Sequence, residues 1–138
     1  MISSTQRIRI YGAAIIIFVL LAGITMNISA GSKYEDIRLL NAVRSFANAV
    51  ERYKHDIWQY PPGDSIDLRN PVMLSERGFT AGKTMYYAGS IPSGHPVIYH
   101  TDGKTYAISF TLREAWPDQG IATKKCTISE FAVLSCAK

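Results

Sequence analysis

The chain has 138 residues, of which roughly the first thirty read as a membrane region, so about 108 remain for a water-soluble body. That is enough for one modest hydrophobic core and argues against two domains, each of which would need extra staples. The net charge of +4 is scattered over residues such as Arg7, Arg9, Arg38, Arg44, Arg52, Lys83, Lys104 and Lys124-Lys125, with no stripe uniting basic and aromatic residues, so no nucleic-acid partner is expected.

Residues 10–30 carry no charge. About twenty predominantly apolar residues cross a hydrocarbon layer roughly 30 Å thick, so this stretch is expected to be a transmembrane helix. Arg7 and Arg9 precede it without an acid, whereas Lys33 and Arg38 follow it mixed with Glu35 and Asp36. The positive-inside bias then puts residues 1–9 in the cytoplasm and residues 31–138 outside it, as the head of a single-pass cell-membrane protein. A signal peptide removed before Gly31 is the rival reading. It is disfavoured by an apolar stretch longer than a signal core and by Ile28 at the cleavage site.

From Lys33 the apolar residues Leu39, Leu40, Val43, Phe46, Ala47, Val50, Tyr53 and Ile57 recur at helical spacing, with polar residues such as Arg44, Asn48 and Arg52 between them. This predicts an amphipathic helix over 33–58 that stops before Pro61-Pro62-Gly63. Burying each large member of the stripe is worth about 1.5–3 kcal/mol, and a sheet is the expected cover.

Residues 59–84 read as a connector. Within it, Asn70-Pro71 followed by Val72-Met73-Leu74 has the form of an N-cap with proline at the first helical position, which predicts a short helix closed by Gly78. Residues 85–138 read as an antiparallel sheet of three or four strands. Tyr106, Ile108, Phe110 and Leu112 alternate with Thr105, Ala107, Ser109 and Thr111, and Asp102-Gly103 marks the turn of a hairpin with Val97–His100. Met85–Tyr87, Thr127-Ile128 and Phe131–Leu134 supply further strands. With this end of the chain outside the cytoplasm, Cys126 and Cys136 are expected to form a disulfide that pins the C-terminal segment.

The segment Arg52-Tyr53-Lys54-His55-Asp56-Ile57-Trp58-Gln59-Tyr60-Pro61 resembles the end of the long helix in type IV pilin-like proteins, above all the major pseudopilin of type II secretion. There a Tyr-Lys-x-Asp pattern is followed within a few residues by Tyr-Pro, which here makes Tyr53, Asp56, Tyr60 and Pro61 the motif residues. The resemblance implies an α+β, pilin-like fold: a long N-terminal helix, half transmembrane and half amphipathic, packed on a small antiparallel sheet, often with a C-terminal disulfide. It implies a membrane-anchored structural subunit of a type IV pilus or a type II secretion pseudopilus, whose partners are the membrane and other pilin-like subunits or itself. The chain departs from the family near its start. The glycine after the basic leader is Gly12, followed by Ala13, and the fifth position beyond it holds Ile17 where the family has glutamate. It therefore reads as a divergent relative without the usual processing motif. The alternative reading is a monomeric single-pass envelope protein whose head is a binding module.

No enzyme is expected, because no nucleophile, base and orienting group can be assembled from the sequence. Gly82-Lys83-Thr84 fails as a phosphate loop, since the upstream glycine would fall where Arg77 stands. His55, His95 and His100 lack metal-ligand spacing. Glu114 and Asp118, or Asp64, Asp67 and Asn70, offer oxygens suited to Ca²⁺, and the resembled pseudopilins often bind calcium in the sheet region. Neither group has the spacing of a helix-loop-helix calcium site, so solvated turns are the favoured reading and no cofactor is expected. The aromatic residues Tyr86, Tyr87, Tyr99, Tyr106 and Phe110 are read as sheet core rather than a ligand face.

Overall fold

The computed structural model describes the backbone of residues 4–136 and the side chains of residues 31–136. One helix, α1, runs Ser4–Ile57, and the chain divides into two compact units, Met1–Tyr34 and Glu35–Lys138. In the first unit, the cytoplasmic segment 1–9 and the transmembrane stretch 10–30 lie outside the residues whose side chains are described. Among the described residues, no helix is long and apolar enough to cross a membrane.

The second unit is α+β. Its helical part buries Leu39, Leu40, Val43, Phe46, Ala47, Val50 and Tyr53, seven of the eight stripe positions, while Ile57 is half-buried. These residues share one apolar cluster with residues from the strands. The helix ends at Ile57, and the Trp58 N–H still bonds the Lys54 carbonyl at 2.8 Å. Trp58 itself is left-handed, with φ 66°, in the place where a helix exit commonly uses glycine.

Seven strands follow: β1 Ile66–Asp67, β2 Val72–Ser75, β3 Met85–Gly89, β4 Ile98–Thr101, β5 Tyr106–Thr111, β6 Lys125–Ser129 and β7 Val133–Cys136. Five form one antiparallel sheet in the order β1-β4-β5-β6-β7, and β2 pairs with β3 in a separate antiparallel ribbon. The β4–β5 hairpin turns where Asp-Gly predicts it. Gly103 has φ 85°, and the Asp102 carboxylate accepts from the N–H groups of Lys104 and Thr105 at 2.8 and 2.6 Å. Along β5 and just beyond it, Tyr106, Ile108, Phe110 and Leu112 are buried, so the expected alternation holds.

Three expectations are corrected. Residues 70–78 form no helix: Val72–Ser75 is β2, with Leu74 fully buried and opposite Tyr87. The apolar residues Val72 and Leu74 sit two apart, and a strand turns both inward where one helical turn would not. The connector 59–84 therefore contains β1 and β2. The strands beyond residue 85 also do not form one sheet, because β3 pairs back onto β2. Between β3 and β4 lie Pro92 and Pro96, which lack the N–H groups needed to continue a ladder. Finally, Phe131 lies outside β7, in a 3₁₀ turn at Glu130–Ala132 with φ 58°.

Phe46 is the meeting point of these elements. Its ring stands edge-on to Tyr87 of β3 at 5.0 Å and to Tyr99 of β4 at 5.9 Å between centroids, with Phe79 at 6.3 Å. Edge-to-face pairing brings the negative face of one ring to the positive edge of another, adding about 0.5–1.5 kcal/mol beyond area burial. Tyr99, Tyr106 and Phe110 are buried and Tyr86 and Tyr87 half-buried, in line with a core role for the sheet aromatics.

Candidate functional site: the helix-end junction and its cleft

The four motif residues converge where the helix gives way to the strands. Tyr53 is buried, its ring 5.6 Å from that of Tyr86. The Tyr86 hydroxyl donates to Asp56 Oδ2 at 2.9 Å, and His55 Nδ1 lies 3.0 Å from Asp56 Oδ1. These two contacts, that with His55 first, hold the Asp56 carboxyl below its ordinary range, so it stays an ionised acceptor. Four residues on, Tyr60 is buried against Tyr106 with centroids 4.9 Å apart. Lys54 Nζ donates to the Tyr60 hydroxyl at 3.0 Å and lies 4.2 Å from its ring centroid. Pro61 contributes its carbonyl, which accepts from the buried Tyr99 hydroxyl at 2.8 Å.

Burial pushes the Tyr60 and Tyr99 phenols up, so both remain protonated donors. The arrangement is a fastening. Tyr86 ties the last helical turn to the two-stranded ribbon, and Tyr99 ties the helix exit to the five-stranded sheet. His100 of β4 adds a side-chain contact to Asp64. No carboxylate, imidazole and hydroxyl here are aimed at a common point in a pocket, so the junction has the chemistry of a clamp.

A cleft of about 370 Å³ lies at the other end of the helical part of the second unit, lined by Asp36, Arg38, Leu39, Pro92, His95 and Arg113 among others. Asp36 is only 1% exposed. Its two oxygens accept from the backbone N–H groups of Arg113 at 2.8 Å and Glu114 at 3.1 Å, fixing the helix to the chain leaving β5. The Arg113 guanidinium pairs with Glu35 at 2.5 Å. Sequence reasoning passed over Asp36, yet a signal existed: it stands three and four residues before Leu39 and Leu40, so it is an acid on the apolar stripe.

The remaining sequence candidates do not assemble into a site. Asp67 is engaged by Arg69, whose guanidinium and N–H hold its carboxyl down at about 2. Asp118 lies in a short 3₁₀ turn, Pro117–Gln119, and Glu114 uses its backbone N–H on Asp36. Among the described residues, no three His, Cys, Asp or Glu side chains are grouped to hold a metal ion. His55, His95 and His100 lie at three separate places, on Asp56, in the cleft and on Asp64. The N–H groups of Lys83 and Thr84, which a phosphate would use, are taken by the Glu76 carboxylate at 2.8 and 2.7 Å. A Cβ on Gly82 would stand 2.5 Å from that carboxylate, so the glycine serves this internal contact. Cys126 and Cys136 are opposite each other on β6 and β7 and form the expected disulfide.

Comparison with protein-family models, with curated proteins and with solved structures yields no match to this chain. The class of protein defined here is thus one of architecture: an α+β chain in which one helix meets an antiparallel five-stranded sheet and a two-stranded ribbon.

Proposed function

We propose that this chain is a pilin-like structural subunit, anchored by residues 10–30, of a type IV pilus or type II secretion pseudopilus assembly. The observation that carries the reading is the junction. Tyr53, Asp56, Tyr60 and Pro61, the residues on which the resemblance rests, all serve one clamp between helix and strands. A filament subunit needs a rigid join at that point, because load on the helix must reach the body without unfolding the exit. The disulfide at the C-terminal hairpin and the absence of an assembled catalytic set among the described residues suit the same role.

Association is the mechanism. With Ile17 where the family has an acid, packing between apolar helices replaces charge pairing, and Gly12, Ala13, Ala14, Ala22 and Gly23 allow close approach. An arginine at the middle of the stretch costs about 2.5–3.5 kcal/mol on insertion scales, so Leu20→Arg is expected to lose membrane retention. Recovery of Leu20→Arg in the membrane fraction at normal yield would refute the anchor. The cleft favours a second reading, a monomeric envelope protein whose head is a binding module. Cross-linking of the full chain at native abundance separates the two, since a monomeric binder gives no oligomers of itself.

A further inference from the structure

Two features of the body are not used by the clamp. Trp58, at the helix exit, is 88% exposed on left-handed backbone, a conformation that costs a non-glycine residue about 1–2 kcal/mol. Phe131 is 82% exposed, also left-handed, and its N–H donates to Glu51 Oε1 at 2.7 Å. Glu51 lies seven residues, or two turns, before Trp58, so both rings belong to the same end of the helix. Strained backbone that holds large rings in water is a mark of a surface kept for contact. At the opposite end, about 33 Å away along the helix by the rise from residue 36 to residue 58, is the cleft around Asp36.

We infer that the Trp58 end of one copy seats in the Asp36–Arg113 cleft of a second copy. This rests on the structural-subunit reading and gives it a specific contact. The chemistry of the cleft matches the knob. Its volume of about 370 Å³ is in the range that encloses a small aromatic group, and its walls combine Leu39 and Pro92 with the guanidinium groups of Arg38 and Arg113. Guanidinium planes stack on indole faces. Arg113 bonds Glu35 through the edge of its guanidinium, which leaves the face for stacking. Because knob and cleft are different surfaces, each contact leaves one of each open, and the association propagates rather than closing as a dimer. It joins copies displaced along the helix axis by about 33 Å, not copies side by side at one level. A tryptophan buries about 150–250 Å². The contact therefore falls short of the roughly 800 Å² per partner of a stable soluble pair and acts as a stitch between copies already held together elsewhere.

The test uses the full chain in detergent micelles and a bis-maleimide cross-linker, with the native disulfide left oxidised. Gln59→Cys with His95→Cys places one exposed thiol beside the knob and one in the cleft. The expected result is a ladder of dimers, trimers and higher species from this double variant, dimers only from a mixture of the two single variants, and loss of the ladder when Trp58→Ala is added. Trp58 is almost wholly exposed, so that change leaves the core intact. Gln59→Cys with Lys104→Cys, both at the Tyr60–Tyr106 end, is expected to give no ladder. If the 59/95 pair gives no ladder, or Trp58→Ala leaves it unchanged, while an amine-reactive cross-linker still captures oligomers, the knob-and-cleft contact is wrong and the subunit reading stands. If neither reagent captures anything above monomer, both fall.

Discussion

Asp36 is predicted to be the single charged side chain on which the body's stability most depends. Its carboxylate accepts two backbone N–H groups from residues 77 and 78 positions away in sequence, joining the first turn of the body's helix to the chain leaving β5. Hydrogen bonds to a charged group are each worth about 1.5–3 kcal/mol net, and a buried donor left without a partner costs about 1–3 kcal/mol. The cleft lets water reach part of this site, which pulls the total toward the low end. Asp36→Ala should therefore destabilise by about 2–4 kcal/mol. Asp36→Asn should lose about 1–3 kcal/mol, because one amide oxygen serves one N–H while its NH₂ opposes the other. Against a total of about 5–15 kcal/mol for an ordinary domain, the alanine change is severe. With a urea slope of about 1–2 kcal/mol per molar, the unfolding midpoint of Asp36→Ala should fall by about 1–3 M. Hydrogen exchange at the Arg113 and Glu114 amides should quicken with it. Glu35→Gln, which touches only the exposed pair with Arg113, should stay within about 0.5 kcal/mol of the parent. An alanine variant that unfolds at the parent midpoint, or a glutamine variant that falls as far as it, would overturn the reasoning.

Tyr99→Phe keeps the ring among Phe46, Phe79 and Tyr106 but leaves the Pro61 carbonyl without its donor, so a loss of about 1–2 kcal/mol is expected in urea unfolding. Phe46→Ala opens the core where helix, ribbon and sheet meet and should cost about 3–5 kcal/mol, seen as early loss of near-ultraviolet dichroism on heating. Asp67, with its carboxyl near 2 against 3.8 unperturbed, is favoured by folding in its ionised form. Its contribution is complete above 3.8 and is lost as the pH falls through about 2. A carboxyl NMR titration should place its midpoint near 2 in the parent and return it toward 3.8 in Arg69→Ala; an unmoved midpoint would remove Arg69 as the cause.

Local patterning in the sequence was sufficient wherever one residue's neighbours in sequence decide its state. The buried face from Leu39 to Tyr53 follows from the 3.6-residue period, and the β4–β5 hairpin from Asp102-Gly103, because a turn whose Gly103 sits at φ 85° suits glycine. The pairing of Cys126 with Cys136 needed only two cysteines near one end and an oxidising side of the membrane. What tertiary structure decided was partner choice. Val72–Ser75 has a helix-start signal before it, yet burial of Leu74 beside Tyr87 outweighs a local cap worth about 1 kcal/mol. The roles of Tyr53, Asp56, Tyr60 and Pro61 were legible as a pattern, but their meaning as a clamp comes from Tyr86, Tyr99 and Tyr106, which lie 30 to 46 residues away from them and reach them only through the fold. Asp36 shows the limit most plainly. Periodicity puts it on the buried face, and only the backbone of residues 113 and 114, brought there by β5, supplies the two donors that make a buried carboxylate tolerable.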